Sequence, residues 1–209
     1  VRPDPKAIQK AGTLLAQSRS PLMIVGDRVS DDKGITQAVK LAELLELPVY
    51  QSRGAEVSFP TTHPQYLGIH SLRVARDRES LKGYDVILTV GMDTFDELFY
   101  WGDVILSSTQ KLIHVDPVPG RIGRTEPTDV GVISNCKTAL KDITNLVKNH
   151  IDEKNMAIGI DEISFRKHQS KLDAQHRHQT YEYSVKDNWD IKPMSPARMM
   201  YELSNAVPA

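Results

Sequence analysis

An aspartate that closes an apolar strand, followed by a proline and glycine turn, stands where nucleotide-binding α/β folds often hold a ribose hydroxyl. Residues 112–124, LIHVDPVPGRIGR, put Asp116 in that position. Gly26 and Gly91 each end another apolar run, so the three residues together mark the carboxyl edge of a sheet and a candidate nucleotide crevice. The phosphate half of such a site is not written beside them. Gly26 is followed by Asp27 and Arg28, and Gly34 comes too late and sits beside a helix, so there is no Gly-x-Gly-x-x-Gly loop. A carboxylate directly after Gly26 would also repel a pyrophosphate brought close to it. The simpler reading keeps the glycines as turn formers and makes Asp116 the cap of the turn at Pro117.

Other chemistry-bearing residues carry weaker patterns. Arg73, Arg76 and Arg78 could clamp a phosphate, but they are interleaved with Asp77 and Glu79, as on a solvated helix face. His168, His176 and His178 could suggest a metal; His176 and His178 fall on different sides of a helix, and no carboxylate completes a ligand set. A magnesium-diphosphate site needs a carboxylate beside an amide oxygen. Gly26-Asp27 runs into Arg28, and the first asparagine in the chain is Asn135.

The elements that must position these residues alternate in type. Asp4-Pro5 suits the cap and first position of a helix that carries Ile8, Ala11 and Leu15 to about Ser18. Leu22 to Val25 is a continuous apolar strand closed by Gly26, which implies a parallel sheet covered on both faces. A helix capped by Asp31 or Asp32 comes next, with Ile35, Val39, Ala42 and Leu45 on its buried stripe. Val49-Tyr50 begins a second strand, and residues 52–70, rich in Gly, Ser, Thr and Pro, read as one long loop. A polar helix over 71–82, strands at 85–91, 111–115 and 130–133, and a helix over 136–149 complete the pattern. Alternating strands and helices predict a Rossmann-like, doubly wound parallel sheet with helices on both faces and right-handed crossovers. Cys136 reads as a small core residue at a helix start.

The chain divides into a central α/β domain over 1–150, a polar helical linker over 151–190, and the start of a further domain over 191–209, where Ser195-Pro196 opens a helix. Val1-Arg2-Pro3-Asp4-Pro5, without a methionine, reads as the end of a linker in a longer chain. The 26 basic and 27 acidic residues balance to a net charge of −1, so no global field draws in nucleic acid or an anionic membrane. One cysteine permits no intrachain disulfide and no four-cysteine zinc site, which fits a reducing cytoplasm. No apolar run approaches the roughly 20 residues that span a bilayer, and no signal pattern opens the chain.

Taken in order, these residues resemble the central domain of thiamine-diphosphate-dependent enzymes of the acetolactate synthase and benzoylformate decarboxylase group. The resemblance rests on Arg2-Pro3-Asp4-Pro5, Ser20-Pro21-Leu22-Met23-Ile24-Val25-Gly26, Leu47-Pro48-Val49, Phe59-Pro60-Thr61-Thr62-His63-Pro64 and Tyr84-Asp85-Val86-Ile87-Leu88-Thr89-Val90-Gly91. It continues through Ile113-His114-Val115-Asp116-Pro117, Ile122-Gly123-Arg124 and Ser195-Pro196-Ala197-Arg198. It implies a parent enzyme acting on 2-keto acids, by decarboxylation or carboligation, with thiamine diphosphate and Mg²⁺ held by N- and C-terminal domains outside this chain. It also implies a homo-oligomer, dimer or tetramer, in which this domain is supportive and silent by itself. In this group the synthases carry FAD in the central domain, some acyl-CoA decarboxylases carry ADP, and others carry nothing, so an FAD- or ADP-binding module is the alternative.

The same resemblance places His70, after Gly68-Ile69, on a substrate-side loop, with loop packing as the other reading. Counting from Gly91, Leu98 stands where the benzoylformate decarboxylase branch carries an active-site histidine. Leucine cannot transfer protons, which leaves the particular 2-keto acid open. A sirtuin-like deacylase shares the wider fold, but its zinc site usually needs four cysteines.

Overall fold

The computed structural model describes residues 2–53, 56–71, 75–95, 105–153, 156 and 159–207. Six strands form one fully parallel sheet: β1 (Pro21–Val25), β2 (Val49–Ser52), β3 (Tyr66–His70), β4 (Val86–Val90), β5 (Lys111–Asp116) and β6 (Val130–Ile133). Their order is β3-β2-β1-β4-β5-β6, the doubly wound arrangement expected from the sequence. The order reverses between β1 and β4, so their carboxyl ends, Gly26 and Gly91, lie at the switch point.

Seven helices accompany the sheet among the described residues: α1 (Pro5–Gln17), α2 (Asp27–Asp31), α3 (Ile35–Leu45), α4 (Ala75–Ser80), α5 (Cys136–Asp152), α6 (Ile160–Asp187) and α7 (Pro196–Ala206). Strand side chains alternate between the two faces. Met23, Val25, Leu88, Val90, Ile113 and Val115 join Leu15, Leu41, Leu45, Leu140 and Ile143 in the larger core beneath α1, α3 and α5. Leu22, Ile24, Ile87 and Leu112 point the other way, onto Leu81, Met92 and Leu106. Among the described residues, a one-turn 3₁₀ helix at Leu81–Gly83 and the segments around Met92 and Leu106 cover that second face.

Three expectations need correction. Residues 52–70 are not one loop, because Tyr66–His70 pairs in parallel with β2 as the edge strand β3. Asp31 and Asp32 do not cap the helix after them: α3 starts after Gly34 with no side-chain cap, and α2 intervenes before it. Asp32 instead reaches across the fold, its Oδ2 accepting the Cys136 N–H at 2.6 Å at the start of α5. The third is the polar helix of 71–82, of which the described residues form only α4 and the 3₁₀ turn. Cys136 is buried at the first position of α5, and burial, reinforced by the Asp32 carboxylate, pushes its thiol pKa far upward.

Candidate functional site at the carboxyl edge of the sheet

The structure brings Gly26, Gly91 and Asp116 together on neighbouring strands. The Gly26 N–H donates to Val90 O at 2.9 Å, and the Gly91 N–H donates to Val115 O at 2.8 Å. The two glycines are small because backbone approaches backbone. A Cβ on Gly26 would stand 2.5 Å from Met92 Cβ and 2.6 Å from Gly91 O. One on Gly91, whose φ is +62°, would stand 2.8 Å from Val29 N. Both glycine N–H groups are thus spent on neighbouring strands, and backbone packs closely at the position of each missing side chain.

Asp116 is wholly buried. Its Oδ1 accepts the Val118 N–H at 2.8 Å, which caps the turn at Pro117. Its Oδ2 accepts from Arg28 Nε at 2.8 Å and Nη2 at 2.7 Å. The same Nη2 lies 3.0 Å from Asp93 Oδ1, and the other oxygen of Asp93 pairs with Arg121. Two guanidiniums and two carboxylates thus alternate across the turns after β1, β4 and β5. No sequence pattern marks Arg28 as a binding residue; its partner is 88 positions away, beyond the reach of any local signal.

Beneath this set lies His114, also on β5 and buried. His114 Nε2 is 3.1 Å from Met92 O, so that nitrogen carries the proton. Its Nδ1, 3.2 Å from Thr94 Oγ1, then accepts, and Thr94 in turn accepts from Thr89 at 2.8 Å. Burial pushes the His114 pKa below its ordinary 6.5; the Arg28 charge adds to this, while the bond to Met92 O and the Asp116 charge oppose it. The imidazole is therefore a neutral strut that holds the turn at 92–94. The Thr125 hydroxyl donates to Thr94 O and ties a second loop to the same point.

His70 ends β3, buried, with Tyr50 edge-on at 5.3 Å and Phe95 at 6.3 Å between ring centroids. Leu98 and Arg73 lie outside the described residues, as does the side chain of Arg76; Arg78 is half-buried in the last turn of α4. His168, His176 and His178 are exposed along α6, and His178 lies 3.4 Å from Glu182 one turn on. Among the described residues no three His, Cys, Asp or Glu side chains cluster as a metal site. Asp27, the residue nearest in type to a magnesium-diphosphate motif, accepts the Glu56 N–H at 2.8 Å with Oδ1, and its neighbour Arg28 is already paired with Asp116. These residues do not fit that metal's donor set. No described helix is long and apolar enough to cross a membrane.

Comparison with known proteins bears on the whole sheet. The family model "Thiamine pyrophosphate enzyme, central domain" matches residues 8–143. A probable acetolactate synthase large subunit of Methanocaldococcus jannaschii is 28% identical over 143 residues, 66% of this chain and 24% of the relative. A sulfoacetaldehyde acetyltransferase of Rhodobacter capsulatus is 30% identical over 146 residues, 68% of this chain and 24% of the relative. Among solved structures, a 4-hydroxybenzoylformate decarboxylase of Rhodococcus jostii superposes with a TM-score of 0.63 at 28% identity, covering 70% of this chain and 28% of that one. A benzoylformate decarboxylase of Polynucleobacter necessarius, at 22% identity and a TM-score of 0.64, supports the fold alone. The chain spans about a quarter of the length of these curated relatives.

Proposed function

Because the chain belongs to the central-domain family of the thiamine pyrophosphate enzymes, we propose that it is the supporting domain of a protein acting on 2-keto acids. The reaction is decarboxylation or carboligation. The observation that carries this reading is the unbroken family match from residue 8 in α1 to residue 143 in α5, which takes in all six strands. The relatives are named as an acetolactate synthase, a sulfoacetaldehyde acetyltransferase and a thiamine diphosphate-dependent 4-hydroxybenzoylformate decarboxylase. Thiamine diphosphate supplies the electron sink for such reactions. The described residues offer it no metal donor set, so we place its binding outside them.

In this reading residues 1–150 form the domain body, 191–209 open the next domain, and 151–190 link the two. The domain brings segments to the edge of the active site, His70 at the end of β3 among them, and supports a homo-oligomer. The test compares the full-length protein with the 209-residue chain, each supplied with thiamine diphosphate, Mg²⁺ and either pyruvate or benzoylformate. Turnover by the full-length protein alone is expected. Turnover by the 209-residue chain would overturn the supporting role, and a full-length protein inert toward both acids would overturn the 2-keto acid assignment.

A further inference from the structure

A doubly wound sheet with an aspartate at a strand end invites FAD or ADP, yet the residues at this crevice do not fit either. Asp116 has no accessible surface, so a ribose hydroxyl could reach it only by displacing Arg28. Displacement would strand a buried carboxylate, which is far costlier than a lost surface contact. The glycine turns that should receive phosphates are packed on each other, with Met92 Cβ, Gly91 O and Val29 N within 2.5–2.8 Å of where a Cβ would stand, and their N–H groups donate to Val90 O and Val115 O. The helix after Gly26 is only five residues long and begins with Asp27, whose negative charge at the helix start disfavours a phosphate nearby.

We infer that Arg28, paired with Asp116 and linked through Asp93 to Arg121, occupies the nucleotide crevice as a permanent internal substitute for a bound nucleotide. The substitution is physically coherent. A nucleotide at this edge ties together the loops after several strands through ribose and phosphate contacts. The Arg28 guanidinium does the same with a planar fork, its Nε and Nη2 on Asp116 at the end of β5 and its Nη2 also on Asp93 after β4. The four charges of this set sum to zero, so the set itself presents no surplus positive charge to a diphosphate. Side-chain exposure falls inward along the set, from 35% at Arg121 and 31% at Asp93 to 20% at Arg28 and 0% at Asp116. The innermost pair is therefore the one with the most to lose.

The test is a calorimetric titration of the full chain with ADP and with FAD, together with thermal melting of variants. No saturable heat is expected with either nucleotide up to about 1 mM. Saturable binding, or a melting midpoint raised by either nucleotide, would overturn the inference. Arg28→Ala should lower the midpoint by roughly 5–15 °C. Should that variant fail to fold, Arg28→Lys keeps the charge without the fork and should melt several degrees below the natural chain. The double variant Arg28→Met/Asp116→Leu should lose less than the sum of Arg28→Met and Asp116→Leu measured singly. An Arg28→Lys protein that melts with the natural chain, or single losses that simply add, would show that the pair is not the closing element.

Discussion

On the face that carries α1, α3 and α5, the central strands present Met23, Val25, Leu88, Val90, Ile113 and Val115 to long amphipathic helices. On the opposite face Leu22, Ile24, Ile87 and Leu112 form a smaller apolar cluster, and toward the carboxyl ends of the same strands Thr89, His114 and Asp116 are buried as well. The first face is held by dry packing, whereas the carboxyl end of the second is held by named polar bonds as well. Helices bring apolar stripes to the first face, whereas the turns after β1, β4 and β5 bring backbone groups that must be paired to the carboxyl end of the second. Function in this fold gathers at that polar edge. Here the polar edge is spent on joining its own loops.

The dry face should give the largest response to a single truncation. Leu88 lies fully buried in the middle of β4, and Leu88→Ala removes its packing while leaving a cavity in a rigid neighbourhood. A loss of about 2–5 kcal/mol in denaturant unfolding is expected, with an unchanged dependence on denaturant. A loss smaller than that of His114→Leu would mean that the apolar layer does not dominate the fold.

On the polar face, His114→Leu keeps most of the volume and deletes both bonds of the strut. Met92 O and the Thr94 hydroxyl lose their partner, at a cost of about 1–3 kcal/mol. The pH dependence separates this from simple repacking. Because the folded chain holds His114 neutral, with its pKa below 6.5, the unfolded chain takes up the proton first as pH falls. The stability this neutral imidazole contributes is fully present above 6.5 and is lost as pH drops toward the lower folded value. His114→Leu should flatten that slope while leaving the acid-side losses from Asp85 and Asp129. Both carboxylates accept backbone and side-chain bonds that outweigh burial and lower their pKa values below 3.8. An unchanged slope in the variant would show that His114 does not carry the transition.

The dry face was far more legible in the sequence than the polar one. Continuous apolar runs such as Val86–Val90 and the stripes of α1, α3 and α5 are local patterns, and burial obeys them. The edge strand β3 escaped because Gly68, at φ +106°, sits where the register with β2 shifts, and Ile69 faces solvent; five residues show no clean alternation. The strand-end positions of Gly26, Gly91 and Asp116 were readable, since each closes an apolar run. Their partners were not. Arg28 to Asp116 spans 88 residues and Asp32 to the Cys136 N–H spans 104, and a charged residue after a glycine looks the same whether it meets a phosphate or a distant aspartate.

The smallest response separates charge pairing as such from charge pairing in a buried place. Lys82 and Glu79 form an ion pair at 2.8 Å beside the 3₁₀ turn that covers the polar face, a separation close to that of Arg28 and Asp116. Their side chains are 72% and 70% exposed, against 20% and 0% for the inner pair. Water already solvates both partners of the outer pair, so Lys82→Ala should change stability by no more than about 0.5 kcal/mol. Any change should also fade as salt is raised toward about 1 M, where the screening length shrinks to roughly 3 Å. A salt-insensitive loss as large as that of His114→Leu would mean that the outer pair helps hold the cover of the polar face. The contrast would then lie between the two faces as whole layers rather than between the inside and outside of one.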